Sequence, residues 1–308
     1  MMKRSYLILS ALLLLSAPSS ARPIPGISRV LIISVDGLRP DLSLRANAPV
    51  LRSLMVRGSY SLWAQTTAVA VTLPSHVSML TGVPPSKHGV EWNSVLPTKR
   101  IIYPAWPTLF ELARKAGYTT AMAAGKSKFQ GLTEPSTLTW SFVPKATVIS
   151  DTDVTDRAIQ WIDRFGPQVL FVHLPGVDIA GHTSGWGSQE QLDAIANADN
   201  CIGRLLDAYK EKALLDSTFV LVTADHGGAG KSHGPDDPRS RMIPWIVVGP
   251  GVRSDYDLTR EEDLTVKTED TFATACYVLG ITPPRPVDGH PVLQIFSSPR
   301  ESHAPIER

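Results

Sequence analysis

The sequence predicts an α/β fold, namely a three-layer αβα sandwich with a mainly parallel central sheet. Short apolar runs of strand length alternate along the chain with segments of helical periodicity. Uninterrupted apolar runs are typical of strands buried on both faces, and strand–helix alternation is typical of parallel sheets. Polar residues of metal-ligand type follow several of the apolar runs. In open α/β sheets the ligand-binding crevice lies at that edge.

The elements of the first half of the chain follow from apolar spacing and from glycine stops. Val30–Val35 is a continuous apolar run and is predicted to be a strand. Short helices are predicted over Pro49–Val56 and Thr108–Ala116, since a glycine soon follows each and can end it. After the second of these helices, Tyr118–Ala123 has the composition of another strand.

The second half repeats the alternation with longer helices. Asp151 is predicted to cap a helix with an apolar side that includes Val154 and Ala158. The remaining predicted elements are a strand over Val169–Leu174, a long helix from about Gln189 to Leu214, strands over Thr218–Thr223 and Ile243–Val248, and a helix over Thr268–Leu279.

Residues 1–21 are predicted to be a signal peptide. Lys3 and Arg4 precede the apolar run Tyr6–Leu15, and the Ser-Ser-Ala sequence at 19–21 offers small residues for cleavage. The apolar run is short for a membrane span, so no stable membrane anchor is expected after cleavage. The protein is therefore expected to be exported, and either periplasmic or secreted.

A single domain is expected over residues 22–296, followed by a flexible tail over residues 297–308. The formal net charge is +1, whereas binding to nucleic acid by bulk electrostatics needs a strong basic excess. Nucleic-acid binding is therefore not indicated, and the oligomeric state stays open. Cys201 and Cys276 lie among apolar residues of predicted helices, which favours two separate buried thiols over a disulfide.

Asp36 and Thr72 belong to two segments that are weak indications when taken singly. Asp36-Gly37 follows the first predicted strand, where such a pair is usually only a turn. Thr72, in Thr-Leu-Pro-Ser-His, could be an ordinary helix cap. It could also place a hydroxyl at a strand-to-helix junction, where a base or a metal ion would be needed to make it a nucleophile.

Two further segments are stronger indications of a metal site. Asp178 and His182 follow the strand Val169–Leu174, and a carboxylate and an imidazole four residues apart can reach one ion. Asp225-His226-Gly227-Gly228 follows the next predicted strand, with His233 close behind. This pair is hard to explain as packing, because its desolvation costs free energy that a metal ion could offset.

Together these segments provide three aspartates and three histidines, which would suffice for two sites of mixed nitrogen and oxygen ligation. The mixture suits Zn²⁺ best among the common ions, with Mn²⁺ and iron as alternatives. Two divalent ions about 4 Å apart could activate a nucleophile and stabilise the oxygens of a displacement at phosphorus. The candidate ligands are Asp36, Asp178, His182, Asp225, His226 and His233.

In this order the motifs resemble those of the alkaline phosphatase superfamily, and most closely those of its type I phosphodiesterase and nucleotide pyrophosphatase branch. The matching segments run from Val35-Asp36-Gly37 to His233-Gly234-Pro235, and Asp288-Gly289 resembles the closing segment of that branch. The resemblance implies an alkaline-phosphatase-like fold and a metal-dependent hydrolase that acts on small phosphorylated substrates.

The resemblance also implies roles for individual residues. Thr72 would attack phosphorus and carry a covalent intermediate, which water activated at the second ion would release. Asn93 would donate to a non-bridging phosphate oxygen, unless it is an ordinary turn residue. One ion would be surrounded by Asp36, Thr72, Asp225 and His226, and the other would be held by Asp178, His182 and His233.

Lys126 and Lys128 leave the substrate class open. They follow a predicted strand on the same edge and resemble the basic pairs that hold a dianionic phosphate or a carboxylate in monoesterase and phosphonoacetate-cleaving relatives. A monoester carries one more negative charge than a diester, so two ammonium groups would favour it; a solvated lysine turn is the alternative. A phosphodiesterase or nucleotide pyrophosphatase is the first expectation, and a phosphomonoesterase or phosphonoacetate-type hydrolase is the second.

Two other functions are disfavoured. Sulfatase relatives use a formylglycine made from cysteine or serine, and Thr72 cannot be converted into that group. A non-catalytic metal- or phosphate-binding protein would be expected to have lost at least one member of the ligand set, and the whole set is present.

Overall fold

A computed structural model describes residues 22–97, 100–145, 148–283 and 286–297. The predicted signal peptide lies outside these residues, as does the predicted tail from residue 298 onward. The strands of the described residues are β1 (Arg29–Val35), β2 (Ser59–Gln65), β3 (Thr120–Ala124), β4 (Trp140–Phe142), β5 (Val169–Leu174), β6 (Thr218–Thr223), β7 (Met242–Val248) and β8 (Tyr256–Asp257).

These strands form one sheet in the order β4-β3-β5-β1-β6-β7-β2-β8. Pairing is parallel from β4 to β6 and between β2 and β8, whereas β7 is antiparallel to both of its neighbours. The prediction of a mainly parallel sheet is confirmed. Since β5 and β6 flank β1, the segments that follow these three strands meet at one edge of the sheet.

The described helices are α1 (Pro40–Arg45), α2 (Pro49–Arg57), α3 (Thr72–Thr81), α4 (Pro85–His88), α5 (Leu109–Lys115), α6 (Asp151–Phe165), α7 (Gly176–Ser184), α8 (Gln189–Glu211), α9 (Pro238–Arg241) and α10 (Thr268–Val278). Contacts divide most of them into two groups, α1, α2, α6, α7 and α8 on one side and α3, α4, α5 and α10 on the other. Every residue of β3, β5 and β6 is buried, so both faces of the sheet are covered. The predicted αβα sandwich is confirmed.

The predicted elements agree with the structure to within a few residues. The long helix α8 stops at Glu211 rather than Leu214, because the backbone of Ala213 has φ +54 and cannot continue a right-handed helix. Strand β2 was not predicted, although its burial alternates along much of its length, as expected for a strand. Cys201 on α8 and Cys276 on α10 are buried free thiols. No described helix combines the length and apolarity that crossing a bilayer requires.

The prediction that Asp151 caps its helix is wrong. Ser150 is the N-cap residue of α6, and its side chain accepts a hydrogen bond from the backbone N–H of Asp153. The Asp151 carboxylate instead accepts from the N–H of Gly176 at the start of α7, at 2.8 Å. A Cβ atom on Gly176 would lie 2.6 Å from that carboxylate, so the two helix starts are in direct contact. Burial raises the pKa of Asp151 to about 6.

Asp151→Asn should stabilise the protein at neutral and higher pH. Burial raises the pKa of the Asp151 carboxyl from 3.8 to about 6. Between these two pH values the folded chain holds a proton that the unfolded chain has released, so the folded state loses stability as the pH rises through this range. The neutral amide avoids this loss, which amounts to roughly 1–3 kcal/mol. Urea unfolding of both proteins at about pH 4 and about pH 8 tests it. A difference between variant and wild type that is equal at both pH values would contradict the assignment.

Candidate active site

The six predicted ligands converge at the carboxyl edge of the sheet. Asp36 directly follows β1, and Asp225 follows β6 after a single residue, with His226 next to it. Asp178 and His182 lie on α7, which begins just after β5. The side chains of Asp36, Asp178, Asp225 and His226 are buried, His233 is nearly buried, and His182 is 44% exposed.

All three histidines of this cluster have the same orientation. In each, Nδ1 lies 2.8–2.9 Å from a backbone carbonyl oxygen, with the pairs His182–Lys231, His226–Gly227 and His233–Ala70. A carbonyl oxygen can only accept, so Nδ1 is assigned the proton and the lone pair is placed on Nε2. Each Nε2 lies within 3.7 Å of at least one aspartate oxygen. This is the orientation of imidazoles that bind a metal ion through Nε2.

The aspartate oxygens that face these nitrogens lack hydrogen-bond donors. His226 Nε2 lies 3.3 Å from Asp36 Oδ1 and 3.2 Å from Asp225 Oδ2. Nε2 of His182 and Nε2 of His233 lie 3.3 and 3.7 Å from Asp178 Oδ1. All three oxygens are buried without a hydrogen-bond partner among the described residues. Lone pairs that face buried carboxylate oxygens are costly unless a cation lies between them, so the cluster fits divalent metal ions.

The ligand atoms fall into two groups, each within 4.8 Å of one another. One group consists of Asp178, His182 and His233, which is the composition expected for the second ion. The other consists of Asp36, Asp178 and His226. Asp178 therefore belongs to both groups. Asp225 belongs to neither, but it contacts His226 of the group that also contains Asp36.

Burial and mutual repulsion set the protonation states of the cluster. Burial would raise the pKa of Asp36, but the Lys126 ammonium and the hydrogen bond from His173 hold it well below its usual value. Burial, reinforced by the negative charge of Asp36, raises the pKa of Asp225 well above its usual value. Burial also lowers the pKa of His226 to about 4, so its imidazole is neutral near pH 7, as a ligand must be.

Thr72 lies beside the cluster at the first residue of α3. The alternative that it caps this helix is wrong, because Val71 occupies the N-cap position and no side chain caps the helix. The Thr72 hydroxyl is 3.4 Å from His226 Nε2, to which it can donate. The junction differs from the expected one, since a six-residue loop over residues 66–71 separates β2 from α3.

Asn93 and Lys128 lie next to the start of α3. Asn93 Oδ1 accepts from the backbone N–H of Leu73 at 2.9 Å and from Lys128 Nζ at 3.0 Å. Both hydrogen bonds use the oxygen, which fixes the orientation of the amide and makes Nδ2 its donor. The predicted substrate contacts Asn93 and Lys128 are thus brought together one residue from Thr72.

Lys126 is placed differently from its neighbour Lys128. Its Nζ lies 2.6 Å from Asp36 Oδ2 and 2.5 Å from Asp178 Oδ2, and its side chain is 8% exposed. These two carboxylates raise the pKa of Lys126 against the opposing effect of burial. The two lysines that were expected to act as a pair therefore contact different partners.

Two buried histidines, His76 and His173, contact residues of the site and were not among the predicted site residues. His173 Nε2 lies 2.8 Å from Asp36 Oδ2, and its Nδ1 accepts from the N–H of Gly125. His76 contacts the Ser34 hydroxyl through Nε2 and the Thr72 carbonyl through Nδ1. The signal that could have identified His173 is a polar ring in the otherwise apolar strand β5, which pairs with the strand that precedes Asp36.

The indole ring of Trp186 occupies the space that a side chain would need at three glycines of the motifs. Its indole Nε1–H donates to the carbonyl of Gly37 at 3.0 Å. A Cβ atom at any of three motif glycines would lie within 3.3 Å of its ring, namely Gly37, Gly181 and Gly228. The indole packs under three ligand-bearing segments, and the ring lies 5.2 Å from His182 between centroids. Trp186 thus holds these segments at fixed separations.

The sequence profile described as type I phosphodiesterase / nucleotide pyrophosphatase matches residues 30–234. That span is about two thirds of the chain and contains all six candidate ligands and Thr72. The chain belongs to this family. The resemblance inferred from the motifs is thereby confirmed.

Relatives and solved structures agree with the family assignment. Ectonucleotide pyrophosphatase/phosphodiesterase family member 7 of Mus musculus is 25% identical over 244 residues, which is 72% of this chain and 55% of the relative. The chain spans about half the length of the curated relatives it matches. The relatives therefore contain sequence without a counterpart in the aligned part of this chain.

Two solved structures share the fold. Murine ectonucleotide pyrophosphatase/phosphodiesterase 5, in an inactive variant in complex with AMP, gives a TM-score of 0.72 at 15% identity and covers 88% of this chain and 100% of that chain. Phosphonate monoester hydrolase of Agrobacterium radiobacter gives a TM-score of 0.65 at 16% identity, covering 92% and 78%. At these identities the likeness concerns the fold alone, which is alkaline-phosphatase-like as predicted.

Proposed function

We propose that this protein is an exported two-metal phosphoester hydrolase that acts through a covalent threonine intermediate, on phosphodiesters or nucleotide pyrophosphates. The observation that carries the proposal is the orientation of the three histidines. His182, His226 and His233 each donate Nδ1–H to the backbone and direct Nε2 at buried aspartate oxygens without donors. Such an arrangement costs free energy that a cation between the nitrogens and the carboxylate oxygens would offset.

The metal ions of this proposal would be held by the six clustered side chains. Mixed imidazole and carboxylate ligation favours Zn²⁺. Asp178 would contribute to both positions, His182 and His233 to one, and Asp36 and His226 to the other, where Asp225 would join them through its contact with His226. When bound, two such ions supply Lewis acidity and lower the pKa of a hydroxyl nucleophile.

The chain itself positions the nucleophile and the phosphate. The Thr72 hydroxyl at the start of α3 would form a bond from Oγ1 to phosphorus while the bond to the leaving oxygen breaks. Asn93 Nδ2 would donate to a non-bridging oxygen, because Oδ1 is already held by Leu73 and Lys128. Attack of water on phosphorus would then break the bond to Oγ1 and return the free threonine.

The preference for diesters or pyrophosphates is supported by the family. The matching profile is that of type I phosphodiesterases and nucleotide pyrophosphatases. The murine phosphodiesterase 5 structure contains AMP, a nucleotide. With Lys126 engaged by two aspartates, a single lysine, Lys128, contacts Asn93 at the site. One ammonium group attracts a dianionic monoester less strongly than two would, so the preference for a monoester is smaller.

A phosphomonoesterase or phosphonoacetate-type hydrolase is the second candidate. It is favoured by the position of Lys128, whose ammonium lies 3.0 Å from Asn93 Oδ1 and could meet an extra negative charge. In this version Lys126 would leave the two aspartates and join Lys128 on the substrate.

The test is chelator-sensitive turnover of two chromogenic esters. Purified protein loaded with zinc is assayed on bis-p-nitrophenyl phosphate and on p-nitrophenyl phosphate, with a chelated sample as the control. We expect turnover that favours the diester and disappears on chelation. A preference for the monoester would support the second candidate. A protein that takes up no zinc when the metal is added, and that hydrolyses neither ester, would support a non-catalytic binding protein instead.

A further inference from the structure

We propose that Lys126 and His173 form a clamp on the outer oxygens (Oδ2) of Asp36 and Asp178, and that this clamp directs the inner oxygens (Oδ1) at the metal positions. Lys126 is then a positioning residue and not a contact to substrate. The inference rests on the proposed two-metal function. It concerns residues for which the motifs suggested either a substrate contact or no role.

His173 fixes one carboxylate through a chain of hydrogen bonds. Its Nδ1 accepts from the N–H of Gly125 at 3.2 Å, so the ring proton is placed on Nε2. Nε2 then donates to Asp36 Oδ2 at 2.8 Å. The ring is fully buried, and it packs against the rings of His76 and Phe129. A histidine held in this way fixes which oxygen of Asp36 faces the cluster.

Lys126 joins two carboxylates from segments that follow different strands. Its ammonium lies 2.6 Å from Asp36 Oδ2, which follows β1, and 2.5 Å from Asp178 Oδ2, which follows β5. The opposite oxygens, Asp36 Oδ1 and Asp178 Oδ1, are buried and have no hydrogen-bond partner among the described residues. Every donor to these two carboxylates from Lys126 and His173 thus uses an outer oxygen, and both inner oxygens stay available to a cation.

The backbone around Lys126 leaves little freedom for another position. A Cβ atom on the preceding Gly125 would lie 2.4 Å from the ring of Pro175, so β3 ends in close contact with the start of α7. Lys126 also bridges to Val148 through the backbone. Lys128, by contrast, contacts Asn93 Oδ1 and neither aspartate. The two lysines therefore separate into a carboxylate clamp and a candidate substrate contact.

Charge compensation gives the clamp a measurable effect. Asp36, Asp178 and Asp225 are buried within one cluster, and Lys126 supplies a fixed positive charge to it. Without zinc, removal of that charge leaves the carboxylates to repel one another in a low-dielectric site. With zinc bound, the ions supply the positive charge. The variant Lys126→Met should therefore lower the melting temperature of the metal-free protein much more than that of the zinc-loaded protein.

The experiment combines thermal melts, zinc competition with a chromogenic chelator, and steady-state kinetics on the two esters. For Lys126→Met we expect a larger zinc-induced rise in melting temperature than in wild type, and kcat lowered by the same factor on both esters. Lys126→Arg keeps the charge and should restore the wild-type rise. Lys128→Met is the matched control: its zinc-induced rise should equal that of wild type, and its KM should change.

His173 supplies the second arm of the test. His173→Phe removes the donor to Asp36 Oδ2 and should weaken zinc binding by roughly 10–100-fold. His173→Gln offers an amide N–H in place of Nε2–H and should recover most of that affinity. The affinity readout stays informative if Lys126→Met proves too unstable to purify.

Two results would overturn the clamp. One is a Lys126→Met protein with the wild-type zinc-induced rise and a higher KM for the monoester alone, which would make Lys126 a substrate contact. The other is wild-type zinc affinity in His173→Phe. Failure of the proposed function looks different, because wild-type protein would then bind no stoichiometric zinc and turn over neither ester.

Discussion

Thr72→Ala should abolish turnover of bis-p-nitrophenyl phosphate, with a loss of at least ~10³-fold, while zinc content stays at the wild-type level. The hydroxyl lies 3.4 Å from His226 Nε2 and caps nothing, so its removal takes away the nucleophile without disturbing α3. Turnover and metal content by mass spectrometry are measured on the same preparation. Thr72→Ser keeps a hydroxyl and should retain measurable activity.

Thr81→Ala provides the matched control for this substitution. Thr81 ends the same helix and is equally buried, but its hydroxyl donates to the carbonyl of Val77. Both substitutions remove the hydroxyl and the methyl group of a threonine, but Thr81 lies at the other end of α3 from the candidate ligands. We expect a modest loss of stability and nearly unchanged turnover. Full activity in Thr72→Ala would eliminate Thr72 as the nucleophile, whatever the control shows.

Asp178→Ala should remove both metal ions, and with them essentially all turnover. Asp178 belongs to both groups of ligand atoms, and its Oδ1 is buried without a hydrogen-bond partner among the described residues. Removal of this carboxylate therefore takes a ligand from each group. His182 belongs to one group and its side chain is 44% exposed. His182→Ala should therefore lose one ion and keep the other. Zinc per chain, counted after gel filtration, distinguishes the two variants.

Asp41→Ala is the control for a lost carboxylate. Asp41 lies on α1, is exposed and forms an ion pair with Arg39, so its removal should leave the zinc content unchanged. If Asp178→Ala instead keeps one zinc per chain, Asp178 serves a single ion. That result would restore the division of ligands that the family resemblance implied.

The sequence predicted the centre of the sheet well because the central strands are buried on both faces. Strands β1, β5 and β6 are mainly apolar runs of strand length, and their predicted bounds differ from the observed ones by at most one residue. Strand β2 mixes polar and apolar residues and runs antiparallel to β7, so neither composition nor a helix-separated pattern revealed it. Short edge strands such as β4 have too few residues to show any period.

The candidate ligands could be predicted because they follow recognisable strands, and the resemblance implied the group of Asp178, His182 and His233. The division that places Asp178 in both groups could not be predicted. That division depends on which strands are neighbours, and only the fold shows that β5 and β6 both flank β1. The same reason hides the clamp. Lys126 follows β3, and it reaches Asp36 and Asp178 because β5 lies between β3 and β1. Charge pattern alone made Lys126 the partner of Lys128.

The position of Trp186 provides an optical reporter of this site. Its indole ring lies 5.2 Å from the imidazole of His182 and 5.9 Å from that of His233, measured between centroids. When a cation binds those two imidazoles, the electric field and the quenching at the indole change, and so does its emission. The chain contains 7 tryptophans, and the difference spectrum against Trp186→Phe isolates this one. Loading and loss of a cation at His182 and His233 would therefore be followed by fluorescence in real time, with no substrate present.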